Sequence, residues 1–329
     1  MNTNGTDIKR ATGLIIVEVR NSNPNGDPER DGAPRRRRGD IGEISPVSVK
    51  RKMRDLVANK KGPIWLYLKH KFDLNDARFD ILEERGRKRS VIKNMIITDK
   101  DKGIEEKEFV KQYWDGRIFG NTFLEKAEDK STDDASETTP EGGIISKAEE
   151  ALALKDSVKT GVVHFGLGLS VAPVTVRTDF TLTNKSAVQE DKTSGMAPGA
   201  FKFVEHGIYA IPFFVNPTQA SKTGCKKEDV DVALELIPYV YSHNRSLVRT
   251  QVEVLHAWYV EHNNQKGSYN DFDLIDALMP KKLDAENKPS VARSEYDIPN
   301  PNDDKYKKTF EKFDGKVVGF RDLMDLMRQ

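Results

Sequence analysis

The first apolar run is Leu14 to Val19 (LIIVEV), and its pattern predicts a short buried strand. It runs straight into Asn21-Ser22-Asn23-Pro24-Asn25-Gly26-Asp27-Pro28. Asn, Gly, Asp and Pro are all turn formers, so this stretch is neither helix nor strand. A basic loop follows at Arg35 to Arg38. Ser45-Pro46 then has the form of a helix start, with serine as N-cap and proline in the first turn. Val49, Met53, Leu56 and Val57 recur at i, i+4, i+7 and i+8 and make one apolar stripe. Lys50, Arg51 and Arg54 lie off that stripe and near one another. Val91 to Thr98 predicts another strand.

Farther along, Gly161 to Val171 and Val174 to Leu182 predict strands. In the second, Val174, Val176, Thr178, Phe180 and Leu182 alternate with Thr175, Arg177, Asp179 and Thr181, which leaves one face polar. Residues 184–200 are polar and glycine-containing, the composition of a long hairpin tip, and Gly207 to Val215 returns as a strand. A second helix is predicted over 228–243, with Val230, Leu234, Ile237 and Tyr241 on one face and a kink at Pro238. Val252 to Val260 closes as a strand. Beyond His262 the chain turns polar, with a short terminal helix expected near 320–328. The order β-α-β…β-α-β with a long insertion predicts an α+β domain of RRM-like or ferredoxin-like type.

The chain has 329 residues, room for one large domain with insertions or two small ones. Residues 125–143 are acidic, Ser/Thr-rich and nearly free of apolar groups, the composition of a disordered insertion. Net charge is +1, but residues 1–100 hold 23 Lys and Arg against 14 Asp and Glu. A basic N-terminal third joined to an acidic remainder points to a polyanion-binding face. The single cysteine, Cys225, excludes a disulfide framework and a cysteine-based zinc site. No apolar run approaches the roughly 18 residues of a membrane span, and the expected location is cytoplasmic.

Enzyme signatures are sparse. There is no G-x-S-x-G and no P-loop, and Gly166-Leu167-Gly168-Leu169-Ser170 lacks the third glycine of a dinucleotide fingerprint. The six histidines include no pair at H-x-x-x-H spacing, and His164 and His256 fall in apolar strands as core groups. No metal and no cofactor is expected. Asp27 and Asp31 flank flexible backbone and offer hard oxygen ligands, which keeps a metal-assisted ribonuclease open as an alternative. The helix from Ser45 is the stronger signal. Asp55 is the only carboxylate between Ser45 and Lys60, so its cations lack the acidic partners of an ordinary solvated face. Met196, Phe201, Lys202, Phe203 and His206 lie toward the projecting hairpin, where they wedge between bases, pack on a neighbour, or fold back into the core.

Together these segments resemble a known family. Asn23-Pro24-Asn25-Gly26-Asp27-Pro28 after an apolar first strand, followed by Lys50-Arg51-Lys52-Met53-Arg54, is similar to the RAMP-superfamily backbone subunit of type I CRISPR Cascade complexes, in its type I-C or I-B-like form. Asp115-Gly116-Arg117-Ile118-Phe119-Gly120 resembles that family's D-x-R-x-F-G signature, and Gly207-Ile208-Tyr209 resembles the strand leaving its thumb.

The resemblance implies an RRM-like palm over 1–262, carrying a finger-like region at 60–110, an acidic insertion at 121–159 and a thumb hairpin at 180–206. A polar extension follows at 263–329. It implies no catalysis by this subunit. By the same resemblance, copies would stack head to tail along the CRISPR RNA spacer, bind other Cascade subunits and present the guide to target DNA. Asn23, Asn25 and Gly26 would lie against RNA backbone, and Lys50, Arg51 and Arg54 would contact phosphates. Arg117 would support the groove, with Arg177 in the adjoining strand pair and Met196, Lys202 and His206 on or near the thumb. The chain departs from the pattern in its longer acidic segment, in Ala197-Pro198-Gly199-Ala200 where a basic stretch is expected, and in its unmatched tail. An RNA-binding module acting alone is the third reading.

Overall fold

The computed structural model describes residues 7–84, 86, 88–121, 147–157, 159–185, 196–284, 286 and 288–327. The segment read as a disordered insertion at 125–143 lies outside them.

Strand β1 (Ala11–Ser22) is longer than the apolar run that predicts it. The basic loop returns through β2 (Ile41–Ile44) into α1 (Pro46–Ala58). Ser45 caps α1 as expected, its side chain accepting from the Ser48 N–H, and Val49, Met53, Leu56 and Val57 are the buried stripe. Helices α2 (Pro63–Phe72), α3 (Arg89–Thr98), α4 (Glu108–Gln112), α5 (Trp114–Phe119) and α6 (Lys147–Ser157) follow. Then come β3 (Val163–Phe165), β4 (Gly168–Pro173), β5 (Val176–Lys185), β6 (Met196–Val215), α7 (Lys227–Leu236), β7 (Val252–His262), α8 (Asp271–Leu278) and β8 (Val317–Asp322).

Among the described residues one antiparallel sheet runs β8-β7-β1-β6-β4-β2, with β3 and β5 also pairing with β6. Along the chain, β1, α1, β4, β6, α7 and β7 form a β-α-β-β-α-β series whose strands lie side by side as β7-β1-β6-β4. Strand β6 does two jobs. Residues 204–215 pair with β1 inside the sheet, and residues 196–204 pair with β5 in a ribbon that leaves it. At 20 residues the strand is roughly 65 Å long. The tip between Lys185 and Met196 lies outside the described residues.

Three local expectations are corrected. Residues 91–98 are helical, not a strand. Their β-branched content favours a strand, but Ile92 and Ile96 stand one helical turn apart and pack with Phe109, Val110 and Leu154 in a separate small core. The second helix stops at Leu236 and tightens to a 3-10 turn at Ile237–Tyr239, because Pro238 has no N–H to continue the ladder. The end of the chain makes β8 and a 3-10 turn rather than a helix near 320–328.

The sheet is covered on both faces. Ile15, Val17 and Val19 face α1 and α7, while Leu14 and Ile16 face a roof built by the segment after His262. That roof supplies Leu274, Ile275, Leu278, Tyr296, Phe310 and Phe313. Two buried histidines fasten it. His262 Nδ1 accepts from the Ser268 N–H at 3.0 Å, and its Nε2 lies 3.2 Å from both Thr12 Oγ1 and Asp271 Oδ1. His206 Nδ1 lies 2.8 Å from Ser290 Oγ. Burial pushes both imidazoles below their ordinary value of 6.5 and outweighs the raising effect of Asp271 and Glu18. The unfolded chain therefore takes up protons that the fold refuses. Stability from these two sites is complete above pH 6.5 and is lost as pH falls below it. The expected result is a melting midpoint lower at pH 5 than at pH 7.5, with the loss reduced in His262→Gln; equal midpoints at the two pH values would contradict it.

Candidate nucleic-acid interface

The loop after β1 is ordered by its own side chains. Asn23 is buried, donates from Nδ2 to the Gly32 carbonyl at 2.7 Å, and accepts through its backbone oxygen from Arg249 Nε at 3.1 Å. Asn25 is also buried, and its Oδ1 accepts from the Ser45 N–H at 2.7 Å. The loop is thus tied to the start of α1, and the two asparagine side chains hold it together from inside. Gly26 pairs with Pro34, where an added Cβ would stand 2.9 Å from the Gly32 carbonyl oxygen. Asp27 caps a short 3-10 turn and lies 3.9 Å from Arg30, and Asp31 occupies a left-handed position at φ 49°. Among the described residues no three His, Cys, Asp or Glu side chains gather as a metal site.

The three cations of α1 differ in kind. Arg54 donates from Nε to Asp115 Oδ2 at 2.7 Å, and that fully buried carboxylate also accepts from the N–H groups of Leu82 and Glu83. Arg54 is therefore committed to the fold. Arg51 is exposed and pairs with Asp55 one turn on at 2.8 Å. Lys50 is half-buried, sits 5.2 Å from the Phe119 ring centroid and has no ion pair among the described residues. Burial first, and then the neighbouring Arg54 charge, lower its pKa. An ammonium held this way gains from any anion that approaches it. The same burial, with Lys50 beside it, lowers His164. In the adjoining basic loop, Arg35 and Arg37 share Glu43, Arg36 pairs with Asp40, and Arg38 is exposed with no carboxylate partner among the described residues.

The D-x-R-x-F-G segment is a scaffold beneath this surface. Arg117 is 1% exposed and bonds both oxygens of the buried Asp229, along with the carbonyls of Val110, Lys111 and Arg78. No ligand reaches its guanidinium in this arrangement. Phe119 supports Lys50 and Arg54 at 5.2 and 5.3 Å. His206 is likewise buried, between Glu18 and Ser290 under the roof, rather than exposed at the hairpin. Arg177 is exposed at the foot of the ribbon, 3.7 Å from Glu205. Lys202 is half-buried opposite Thr178, and Met196 opens β6 opposite Lys185. The Met196 side chain lies outside the described residues.

Sequence reading missed the segment between α7 and β7. Its backbone pairs with the Asn loop through the Asn23 N–H to the Val248 carbonyl at 2.7 Å. It brings Arg245 and Arg249 to the same end of the sheet as α1. Lys52 is buried against Tyr241, donates to Ser48 Oγ at 2.7 Å, and is lowered to about 7 by burial and by Arg249. The only signal in sequence was the arginine pair itself, which has no periodicity.

A family model described as CRISPR-associated protein Cas7 matches residues 9–300. The chain belongs to that family. The family read from the Asn loop, the basic helix and the D-x-R-x-F-G segment is the one returned. A Cas7 protein of Haloferax volcanii is 23% identical over 279 residues, which is 80% of this chain and 73% of that protein. Among solved structures, a chain of a CRISPR RNA-guided surveillance complex is 14% identical with a TM-score of 0.39, over 77% of this chain and 69% of its own. A chain of the pre-nicking form of such a complex is 14% identical with a TM-score of 0.41, over 77% and 78%. A chain of a type III-B Cmr-β complex bound to cognate target RNA is 10% identical with a TM-score of 0.37, over 77% and 61%.

Proposed function

We propose that this Cas7 chain is a non-catalytic backbone subunit that binds CRISPR RNA, stacking in several copies head to tail along the guide and presenting it for pairing with target DNA. The observation that carries the reading is Lys50, a half-buried cation with no ion pair among the described residues, held over Phe119 beside Arg54. The β7-β1-β6-β4 core is read as an RRM-like palm, and the β5–β6 ribbon as its thumb. An open RRM stacks bases on its sheet. Here the roof covers that face, which supports a reading in which RNA lies at the end of the sheet, among the Asn loop, α1 and the ribbon. Such contacts to phosphate accept any sequence.

Native mass spectrometry with single-stranded RNAs of increasing length, in Mg²⁺, tests both halves of the reading. Copies are expected to add in even steps with length, and the RNA to be recovered uncut. One copy at every length would contradict the stacking. Regular cuts lost in Asp27→Ala or Asp31→Ala would contradict the absence of catalysis.

A further inference from the structure

On one face of β1 the side chains run Leu14, Ile16, Glu18, Arg20. The first two lie under the apolar roof, and the last two are charged where the roof ends. Glu18 is buried, and Arg20 donates to both of its oxygens at 2.8 Å. His206 approaches the same carboxylate at 3.3 Å, and Tyr296 backs it by donating to Ser290 Oγ at 2.7 Å. This buried network fixes the floor of an open pocket of about 570 Å³ lined by Arg20, Arg293, Tyr296, Asp297 and Tyr306.

Arg293 is the cation this network holds most loosely. Its Nη1 pairs with Glu18 Oε2 at 3.9 Å, beyond hydrogen-bond reach, and its guanidinium makes no hydrogen bond among the described residues. The other acids at the rim are engaged. Asp297 accepts from Lys305 and from Tyr306 Oη, and Glu295 accepts from the N–H groups of Val291 and Ala292 at 2.7 and 3.0 Å. Two guanidiniums thus face one pocket with one carboxylate between them, and that carboxylate is already bonded to Arg20. The pocket adjoins the Asn loop through Arg20, and the foot of the ribbon through His206, which stands opposite Arg20 in the sheet.

We propose that Arg293, with Arg20, forms a phosphate subsite for single-stranded RNA at the foot of the β5–β6 ribbon, with Tyr306 as a wall for the sugar. The inference rests on the reading of this chain as an RNA-binding subunit, and it adds a contact from the C-terminal roof. A planar guanidinium with free donors suits a phosphate in a way a lysine does not.

The test is fluorescence anisotropy of a labelled 30-nucleotide oligouridine with the full chain at several salt concentrations, for wild type, Arg293→Ala, Arg293→Glu and Lys50→Glu. Thermal midpoints confirm that each variant folds. Arg293→Ala is expected to bind roughly tenfold more weakly and to reduce the slope of log affinity against log salt by about one, and Arg293→Glu to bind more weakly still. If Lys50→Glu loses RNA while both Arg293 variants bind as wild type, the subsite is wrong and the RNA-binding reading stands. If all three bind as wild type, the subsite is wrong and so is Lys50 as an RNA contact; a wild-type chain with no affinity for the oligouridine overturns the RNA-binding reading itself. If Arg293→Glu keeps its RNA affinity but separates the copies, the pocket holds a carboxylate of a neighbouring chain, and the proposal is overturned.

Discussion

Arg117→Ala is expected to destabilise the chain by about 3–5 kcal/mol, because it strands Asp229 as a buried charge without its partner. Asp229 is fully buried, and without the Arg117 fork its carboxylate keeps the Lys226 N–H. The substitution also leaves the carbonyls of Val110, Lys111 and Arg78 without their donor. Such a loss is a large fraction of the roughly 5–15 kcal/mol that holds a typical domain folded. Arg117→Lys should rescue little, since an ammonium cannot span a carboxylate and three carbonyls together. Urea unfolding followed by near-ultraviolet circular dichroism reads the effect, and a midpoint equal to wild type in Arg117→Ala would remove this residue from the scaffold. RNA loss in this variant should track unfolding, which separates it from a variant of a residue that touches RNA.

The second large effect is expected from the double charge reversal Lys50→Glu with Arg51→Glu. Neither ammonium nor guanidinium is buried in an ion pair: Lys50 has none among the described residues, and Arg51 pairs only with the partly exposed Asp55. The fold should therefore survive within about 1 kcal/mol, while RNA retained at physiological salt falls by at least tenfold. Arg54→Glu behaves differently. It sets a second carboxylate against the buried Asp115 and is expected to unfold the chain. Melting curves beside RNA retention tell the two classes apart. Undiminished RNA retention in the double variant, with the fold intact, would show that this face of α1 is not the binding surface.

The core pairing was legible where the signal is local. The apolar run of β1, the Ser45-Pro46 cap and the stripe from Val49 to Val57 each follow from spacing over a few residues, and the structure has all three. Long-range partners were not legible. No local pattern joins Arg117, expected to support the groove, to Asp229, 112 positions on, or His206, expected on or near the thumb, to Glu18 and Ser290. The roof was hidden for another reason. Its apolar residues are spread thinly through a polar segment, so no period announces that Phe310, Phe313 and Tyr296 bury one face of the sheet. The cations of α1 were found as a group, but sequence could not tell the paired Arg54 from Lys50, because Asp115 lies 61 positions away.

The central claim is that this Cas7 chain coats a guide RNA in multiple copies. The most direct test is to co-express it with a CRISPR array and its neighbouring subunits, purify the main species, and measure its mass and bound nucleic acid. The account predicts a large particle with one RNA of spacer-plus-repeat length and several copies of this chain. A nucleic-acid-free monomer, recovered with the neighbours present, would contradict it.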